Sequence, residues 1–388
     1  GKRSTSKRGN ANHALPPRPE AAGRSSAAHD LPLAGLRCIE LCWVWSGPLV
    51  GQTLADLGAE VIKVESRRRF DLYRTRGLES RRGEMPEHVR LESSLYFHSL
   101  NRNKVGMTVD LKDERGLDVI KHLMTRSDLL LDNFTVGTLD RLGLTEAVMR
   151  AANPDLVVLS MSGPGRDSAL RHLRSYGLVL SALAGAEHLI EADGEFIGSP
   201  TYSISDPNAA LFATLGALAG VLGSTGGGGI RIDVSQIEAA ATLVGTHGPG
   251  PRDDQNAIVC AGDGTEIALS LPPGITCDPK ALLLELHGRS KAEIFARCRA
   301  LNIQSAEVLL LEETDNAPIF SACSGWLASS HPFTGSERIV AAPWRLDGRR
   351  PVLRKTAPLL GEGNDYVLRR ILGLPDEEIE QLVTDGVV

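Results

Sequence analysis

The run from 36 to 65 constrains the fold more than any other stretch of the chain. Leu36-Arg37-Cys38-Ile39-Glu40-Leu41 is a short apolar run, Ser46-Gly47-Pro48 opens a turn, and 49–57 is helix-like. Gly58 then ends the helix, and Glu60-Val61-Ile62-Lys63-Val64-Glu65 is strand-like again. Strand, helix and strand joined by short turns form a βαβ unit, whose crossover makes the two strands parallel. No GxGxxG follows the first strand, so the unit brings no dinucleotide with it.

The alternation continues. Helices are predicted over 116–124 and 138–142 and strands over 129–131 and 156–160, with Asn153-Pro154 setting the turn before the last strand. Four parallel-type strands by residue 160 give the fold class: α/β, a Rossmann-like large domain built on a parallel sheet. Asp206-Pro207-Asn208 then opens an apolar helix through 221, with Asp206 as N-cap and Pro207 as its first helical residue. The glycines at 226–229 precede a strand at 230–235. Without a Lys-Ser/Thr pair or a following helix, they are a turn and not a phosphate cradle.

Beyond this point the stretch 246–275 is polar and rich in Gly and Pro, around one strand at 266–269. Helices at 279–287 and 291–300 and a strand near 308–311 make a small α+β domain. The expected boundaries are a disordered extension at 1–32, a large domain at 33–225, a shortened small domain at 226–330 and a C-terminal return to the large domain at 331–388. The extension has almost no large apolar residues with which to offset the entropy of ordering.

With 42% hydrophobic residues the chain can fill a substantial core. No apolar run approaches the roughly 20 residues that cross a bilayer, and no secretory signal is readable. A cytoplasmic protein with no membrane partner is expected. The net charge is −6 and the basic clusters are confined to 2–8 and Arg67-Arg68-Arg69, which argues against a nucleic-acid partner. Cys38, Cys42, Cys260, Cys277, Cys298 and Cys323 show no CxxC pair and no paired histidine spacing. Neither a metal site nor a disulfide framework is expected, only reduced, buried thiols.

Three ordered segments carry a family resemblance. They are Trp43-Val44-Trp45-Ser46-Gly47-Pro48 running on through Leu54 to Glu65, Asn101-Arg102-Asn103-Lys104 with Val109-Asp110-Leu111-Lys112, and Asp132-Asn133-Phe134 with Gly137, Leu142-Gly143-Leu144 and Asn153-Pro154-Asp155. Together they resemble the family III CoA-transferases, over roughly 33–245 and again from Pro343 to the end. The resemblance implies a ring-shaped chain in an interlocked dimer. It also implies CoA transfer from an acyl-CoA to a carboxylate through an aspartate that forms anhydride and aspartyl-CoA thioester intermediates, with no metal, redox or covalently bound cofactor. CoA and succinyl-CoA enter as substrates.

At the place of that aspartate this chain has Gly177, within Arg174-Ser175-Tyr176-Gly177-Leu178. Glycine cannot act as a nucleophile. Other departures accompany it: Val105 replaces a cation of the Asn-Lys-Arg segment, and Ser66 replaces an arginine, although Arg67 to Arg69 follow. The stretch between Leu243 and Asn256 is cut short. These losses, with Trp43-Val44-Trp45 and Asp206-Pro207-Asn208-Ala209, most resemble the shortened companion subunit of the two-subunit succinyl-CoA:(R)-benzylsuccinate CoA-transferases of anaerobic toluene degradation. The resemblance thus implies a chain without catalytic residues, partnered by a homologous catalytic subunit.

Alternatives stay open. A homodimeric transferase could use a displaced acid: Asp206, for which helix capping is a sufficient explanation, or Asp167 or Glu195, both read as turn residues. His172 as the base of a racemase loses its acid with Gly177. A non-enzymatic acyl-CoA-binding protein is the other alternative. Lys104 is a candidate for a CoA phosphate contact on a basic loop, and Trp43, Val44 and Trp45 stand at the edge where an open α/β sheet binds ligands, for stacking on CoA or for packing.

Overall fold

The computed structural model describes residues 31–189, 191–192, 195–196, 203–224, 228–245, 255–271, 278–314 and 316–388. The expected disordered extension lies outside them, apart from Leu31 and Pro32. The chain divides into two compact units, one of residues 1–245 with 326–388 and one of residues 246–325.

The large unit is built on six parallel strands: β1 (Arg37–Leu41), β2 (Glu60–Glu65), β3 (Val105–Thr108), β4 (Leu129–Asp132), β5 (Val157–Ser162) and β6 (Arg231–Ser235). Their spatial order is β3-β2-β1-β4-β5-β6, and every neighbouring pair is parallel. This is the doubly wound order, in which the chain runs outward from β1, returns to the centre and runs out on the other side. The α/β expectation with a parallel Rossmann-like sheet is met.

Alternation along the strands supplies two faces. Ile39, Leu41, Ile62, Val64, Met107, Leu130 and Val158 point to one, where Val119, Ile120 and Leu123 of a helix at Glu114–Met124 and the C-terminal Val367, Leu368, Ile379 and Leu382 cover them. Cys38, Val61, Leu129, Leu131, Val157 and Leu159 point to the other, beneath α1 (Ser46–Asp56) and the long helix Ser205–Gly223. Strands buried on both faces read as nearly continuous apolar runs, which explains why the sequence signalled them clearly.

In the smaller unit Gln255–Cys260, Glu266–Leu271 and Gln304–Glu307 form an antiparallel sheet beside helices Pro279–Leu286 and Lys291–Ala300. Two expectations are corrected. The boundary falls at 245 and not 225, because β6 is the sixth strand of the large sheet and the helix after it, Gln236–Val244, packs on the large unit's helices. The strand expected near 308–311 is instead Gln304–Glu307, followed by a short helix at Leu311–Thr314. The apolar run at 308–311 carries the strand signal, whereas the strand that pairs is the polar one before it.

Candidate functional site

The strand order reverses between β1 and β4, and open sheets bind ligands beyond the carboxyl ends of their strands at that place. Trp43, Val44 and Trp45 follow β1 there and are half-buried. Asn133 follows β4 and locks the two loops together: the Trp43 N–H donates to its Oδ1 at 3.0 Å, and its Nδ2 donates to the Trp43 carbonyl at 2.8 Å. The Trp43 ring meets Phe134 edge-on at 5.6 Å, and the Arg69 guanidinium lies 5.3 Å from the Trp43 centroid, within cation–π range. Val44 holds a positive φ of 71°, rare for a β-branched residue, while its N–H donates to Asp71 Oδ1 at 2.9 Å.

Lys104 is not on a basic surface loop. It is 1% exposed, and its ammonium donates to the Pro48 carbonyl and to Asn101 Oδ1, both at 2.8 Å, and lies 2.7 Å from Glu40 Oε2. Lys63, also buried, reaches Glu40 Oε1 at 3.2 Å and Asp71 Oδ2 at 2.9 Å. Burial, reinforced by Lys63 and opposed by Glu40, brings Lys104 down to about 8. Burial also works against the charge of Lys63, but Asp71 and Glu40 outweigh it and hold that ammonium above its ordinary range. Gly51 is required beside the pair, because a Cβ there would stand 1.7 Å from Glu40 Oε2. Lys104 thus braces the first βαβ unit from within, and the phosphate contact expected of it is not presented. The nearby cations that face solvent are Arg67, Arg68 and Arg69, in the tight turn that Ser66 closes with Arg69.

Gly177 begins the helix Gly177–Leu183 and is buried. Its missing side chain leaves no gap. A Cβ built on it would lie 2.0 Å from Asp206 Oδ2, 2.2 Å from Ser203 Oγ and 2.8 Å from Ser205 Oγ, all closer than real Cβ contacts. The Ser205 hydroxyl donates to the Gly177 carbonyl at 2.8 Å, and Ser203 and Ser205 share a hydrogen bond of 2.9 Å. The N-cap reading of Asp206 is corrected here. The helix starts at Ser205 with Ile204 as its cap, and Ile204 is itself αR, so Asp206 sits inside the first turn with its carboxylate free to reach elsewhere. The Ser46 hydroxyl is near enough to favour the charged form of Asp206, and Ser46 in turn accepts from Gln236 Nε2 at 3.1 Å. Sequence reasoning missed this relay, because its three members sit at the starts of three helices scattered through the chain.

Burial pushes Asp206 from its ordinary 3.8 up to about 6, the Ser46 hydroxyl restraining the shift. Burial and the Asp206 charge together push Tyr73 up to about 12. A carboxyl whose pKa is raised on folding contributes most stability below its unfolded value, and that contribution is lost as pH rises through about 6. Asp206→Asn is therefore expected to stabilise the protein at pH 8 by about 2 kcal/mol and to change little near pH 4. Thermal melts of both proteins across that range check it, and parallel curves would contradict it.

Other acids and bases named from sequence fall outside the cluster. Asp167 and His172 are exposed, and His172 meets Arg171 at 3.3 Å. Glu195 lies in a two-residue strand paired with Glu191–Ala192, while Asp193, Gly194, Cys277 and the shortened stretch at 246–254 lie outside the described residues. Val105 is a strand residue packed on the core. Cys38 and Cys42 are buried thiols, raised well above their ordinary value by burial and then by Glu40.

Among the described residues no helix is long and apolar enough to cross a membrane. The chain is 27% identical over 403 residues to the succinyl-CoA:glutarate CoA-transferase of Mus musculus, covering 92% of this chain and 90% of the relative. It is 31% identical over 221 residues to the succinyl-CoA--L-malate CoA-transferase alpha subunit of Chloroflexus aurantiacus, covering 56% of this chain and 50% of that one. A CAIB/BAIF family protein from Brucella suis has the same fold, with a TM-score of 0.73 at 22% identity over 88% of this chain and 99% of that one. The model of CoA-transferase family III matches residues 33–257. With the parallel sheet, the switch-point loops and these relatives in agreement, the chain belongs to the CoA-transferase family III.

Proposed function

We propose that this chain is the companion subunit of a heteromeric CoA-transferase, which moves CoA from succinyl-CoA to an aromatic succinate such as (R)-benzylsuccinate in the cytoplasm. In this reading a homologous chain supplies the catalytic aspartate and this chain supplies architecture. The observation that carries it is the place of Gly177: no side chain arises from residue 177, and the space for one is filled by Asp206 and Ser203. The succinyl-CoA relatives support the donor, and the alpha subunit among them supports an assembly of unlike chains.

A partner surface is also in keeping. The helix Ser205–Gly223 turns its small residues, Ala209, Ala210, Ala213 and Ala217, toward its own sheet and leaves Leu211 and Leu215 more than 60% exposed. The neighbouring Gly177–Leu183 helix leaves Leu178, Val179 and Leu183 outward. Large apolar residues outside and alanines inside invert the usual arrangement and suit a face covered by another chain. Any CoA phosphates held by this chain would meet Arg67, Arg68 and Arg69 in place of Lys104.

Co-expression with a homologous chain bearing aspartate at the matching place tests the proposal. A stable mixed complex is expected, with benzylsuccinyl-CoA formed only when both chains are present. A self-associated chain that turns over alone at a similar rate would overturn it. That outcome would favour a second reading, specific to one observation: the Asp206 carboxylate stands where the side chain of residue 177 would be, is partly exposed and is largely ionised at neutral pH, so it could take over as nucleophile.

A further inference from the structure

A helix at Leu95–Asn101 and a hairpin of strands Trp326–His331 and Gly335–Val340 bury two histidines and a glutamate against one another. His98 and His331 are each 2% exposed and Glu337 is 7% exposed, with one donor atom of each within 4.8 Å of the others. His98 is 239 positions from Glu337, and no local spacing announces the three together.

His98 is held between two groups that can only accept. Its Nε2 is 3.2 Å from the Glu92 carbonyl, and its Nδ1 is 2.7 Å from Glu337 Oε1, a carboxylate that also accepts from the Thr334 hydroxyl. With its single proton on Nε2, a neutral ring would turn the Nδ1 lone pair against that carboxylate. Two arrangements relieve this: the ring proton moved to Nδ1, which leaves the Nε2 lone pair against the Glu92 carbonyl, or a metal ion at Nδ1 with the proton kept on Nε2.

His331 lies tilted over His98 with ring centroids 3.9 Å apart. Its Nδ1 accepts the Phe333 N–H at 3.3 Å, while no hydrogen bond of proper geometry reaches its Nε2 among the described residues, although the Ala357 backbone is close enough to influence the ring. Burial, and then the neighbouring His98, push His331 down to about 4.

We propose that His98 Nδ1, His331 and Glu337 form a binding site for a divalent cation of the zinc type, which ties the Leu95–Asn101 helix to the hairpin. Two imidazoles and one carboxylate are a borderline nitrogen and oxygen donor set suited to such an ion. The Glu92 carbonyl gives His98 the outer partner that metal-bound histidines usually have, fixing the proton on Nε2. Ligation through His331 Nε2 moves that ring's proton to Nδ1, at the expense of a Phe333 contact already at the long end of the range. Any proton on His98 Nδ1 leaves to solvent as the metal enters.

The full chain, produced with added zinc and dialysed, is the material for the test. Elemental analysis is expected to find about one zinc per chain, and cobalt(II) in its place is expected to give visible bands without a thiolate charge-transfer band. His331→Gln and Glu337→Gln are each expected to weaken binding at least about tenfold, with far-ultraviolet circular dichroism unchanged. Less than about a tenth of an equivalent in the wild type, with a melting temperature indifferent to EDTA, would show that a ring proton and not a metal ion faces Glu337 from His98 Nδ1 and would overturn the proposal. Binding unchanged in both variants would overturn it as well.

Discussion

Glu40→Leu is expected to destabilise the protein by about 3–5 kcal/mol, among the largest losses available to one side chain. Glu40 is wholly buried in β1 and is the shared counter-ion of Lys63 and Lys104, themselves at most 1% exposed. Its removal leaves Lys104 facing Lys63 with only neutral partners, Pro48 and Asn101, while Lys63 keeps Asp71. An uncompensated ammonium in such a place must be desolvated for nothing or give up its proton, and Lys104 is already drawn down to about 8. The leucine would fill the space without restoring the charge. Urea denaturation measures the effect; a loss below about 1 kcal/mol would mean that the buried network is not the brace of the first βαβ unit.

The second large effect concerns position 177. Gly177→Asp reinstates the residue type that the family resemblance expects, at the start of a helix where a carboxylate is welcome. The surroundings refuse it. Its Cβ would fall 2.0 Å from Asp206 Oδ2 and 2.2 Å from Ser203 Oγ, and a second carboxylate would be forced against the first. We expect a loss of about 1–3 kcal/mol from overpacking alone, and no gain in turnover. Gly177→Asp combined with Asp206→Ala is expected to recover much of that stability, because the two side chains compete for one space and their effects are not additive. Urea titrations of the two single variants and the double variant form the cycle. Additive losses would show that Asp206 is not what excludes residue 177.

Both results bear on how far the sequence could be read. The βαβ opening was legible because β1 and β2 are apolar runs punctuated by Gly-Pro and Gly, and the parallel order followed from it. Strand β3 was not, since Val105–Thr108 is four residues long and contains Gly106, where a Cβ would stand 2.7 Å from the Leu359 carbonyl. Only the C-terminal return packed over it explains that glycine. Polar strands in the small unit, such as Gln304–Glu307, carry too little apolar signal to compete with the neighbouring leucines.

At the site, Gly177 and the loop of Trp43, Val44 and Trp45 were visible because motifs point to them. The burial of Lys104 was not, because its partner Glu40 is 64 positions away and reads as an ordinary strand residue. Asp-Pro is a strong local start signal that points to Asp206 as a cap, but the helix begins two residues before Pro207, at Ser205, whose hydroxyl is committed to Gly177. His98 and Glu337 are 239 positions apart, and no spacing rule could join them.

The most direct test of the companion reading is to incubate the mixed assembly with succinyl-CoA and hydroxylamine and to map the modified peptides by mass spectrometry. Hydroxylamine converts an aspartyl anhydride or aspartyl thioester to a stable hydroxamate, marking whichever carboxylate acted. The expected result is an aspartyl hydroxamate on the homologous chain and none on this one. A hydroxamate at Asp206 would contradict the claim that this chain contributes architecture and not the nucleophile.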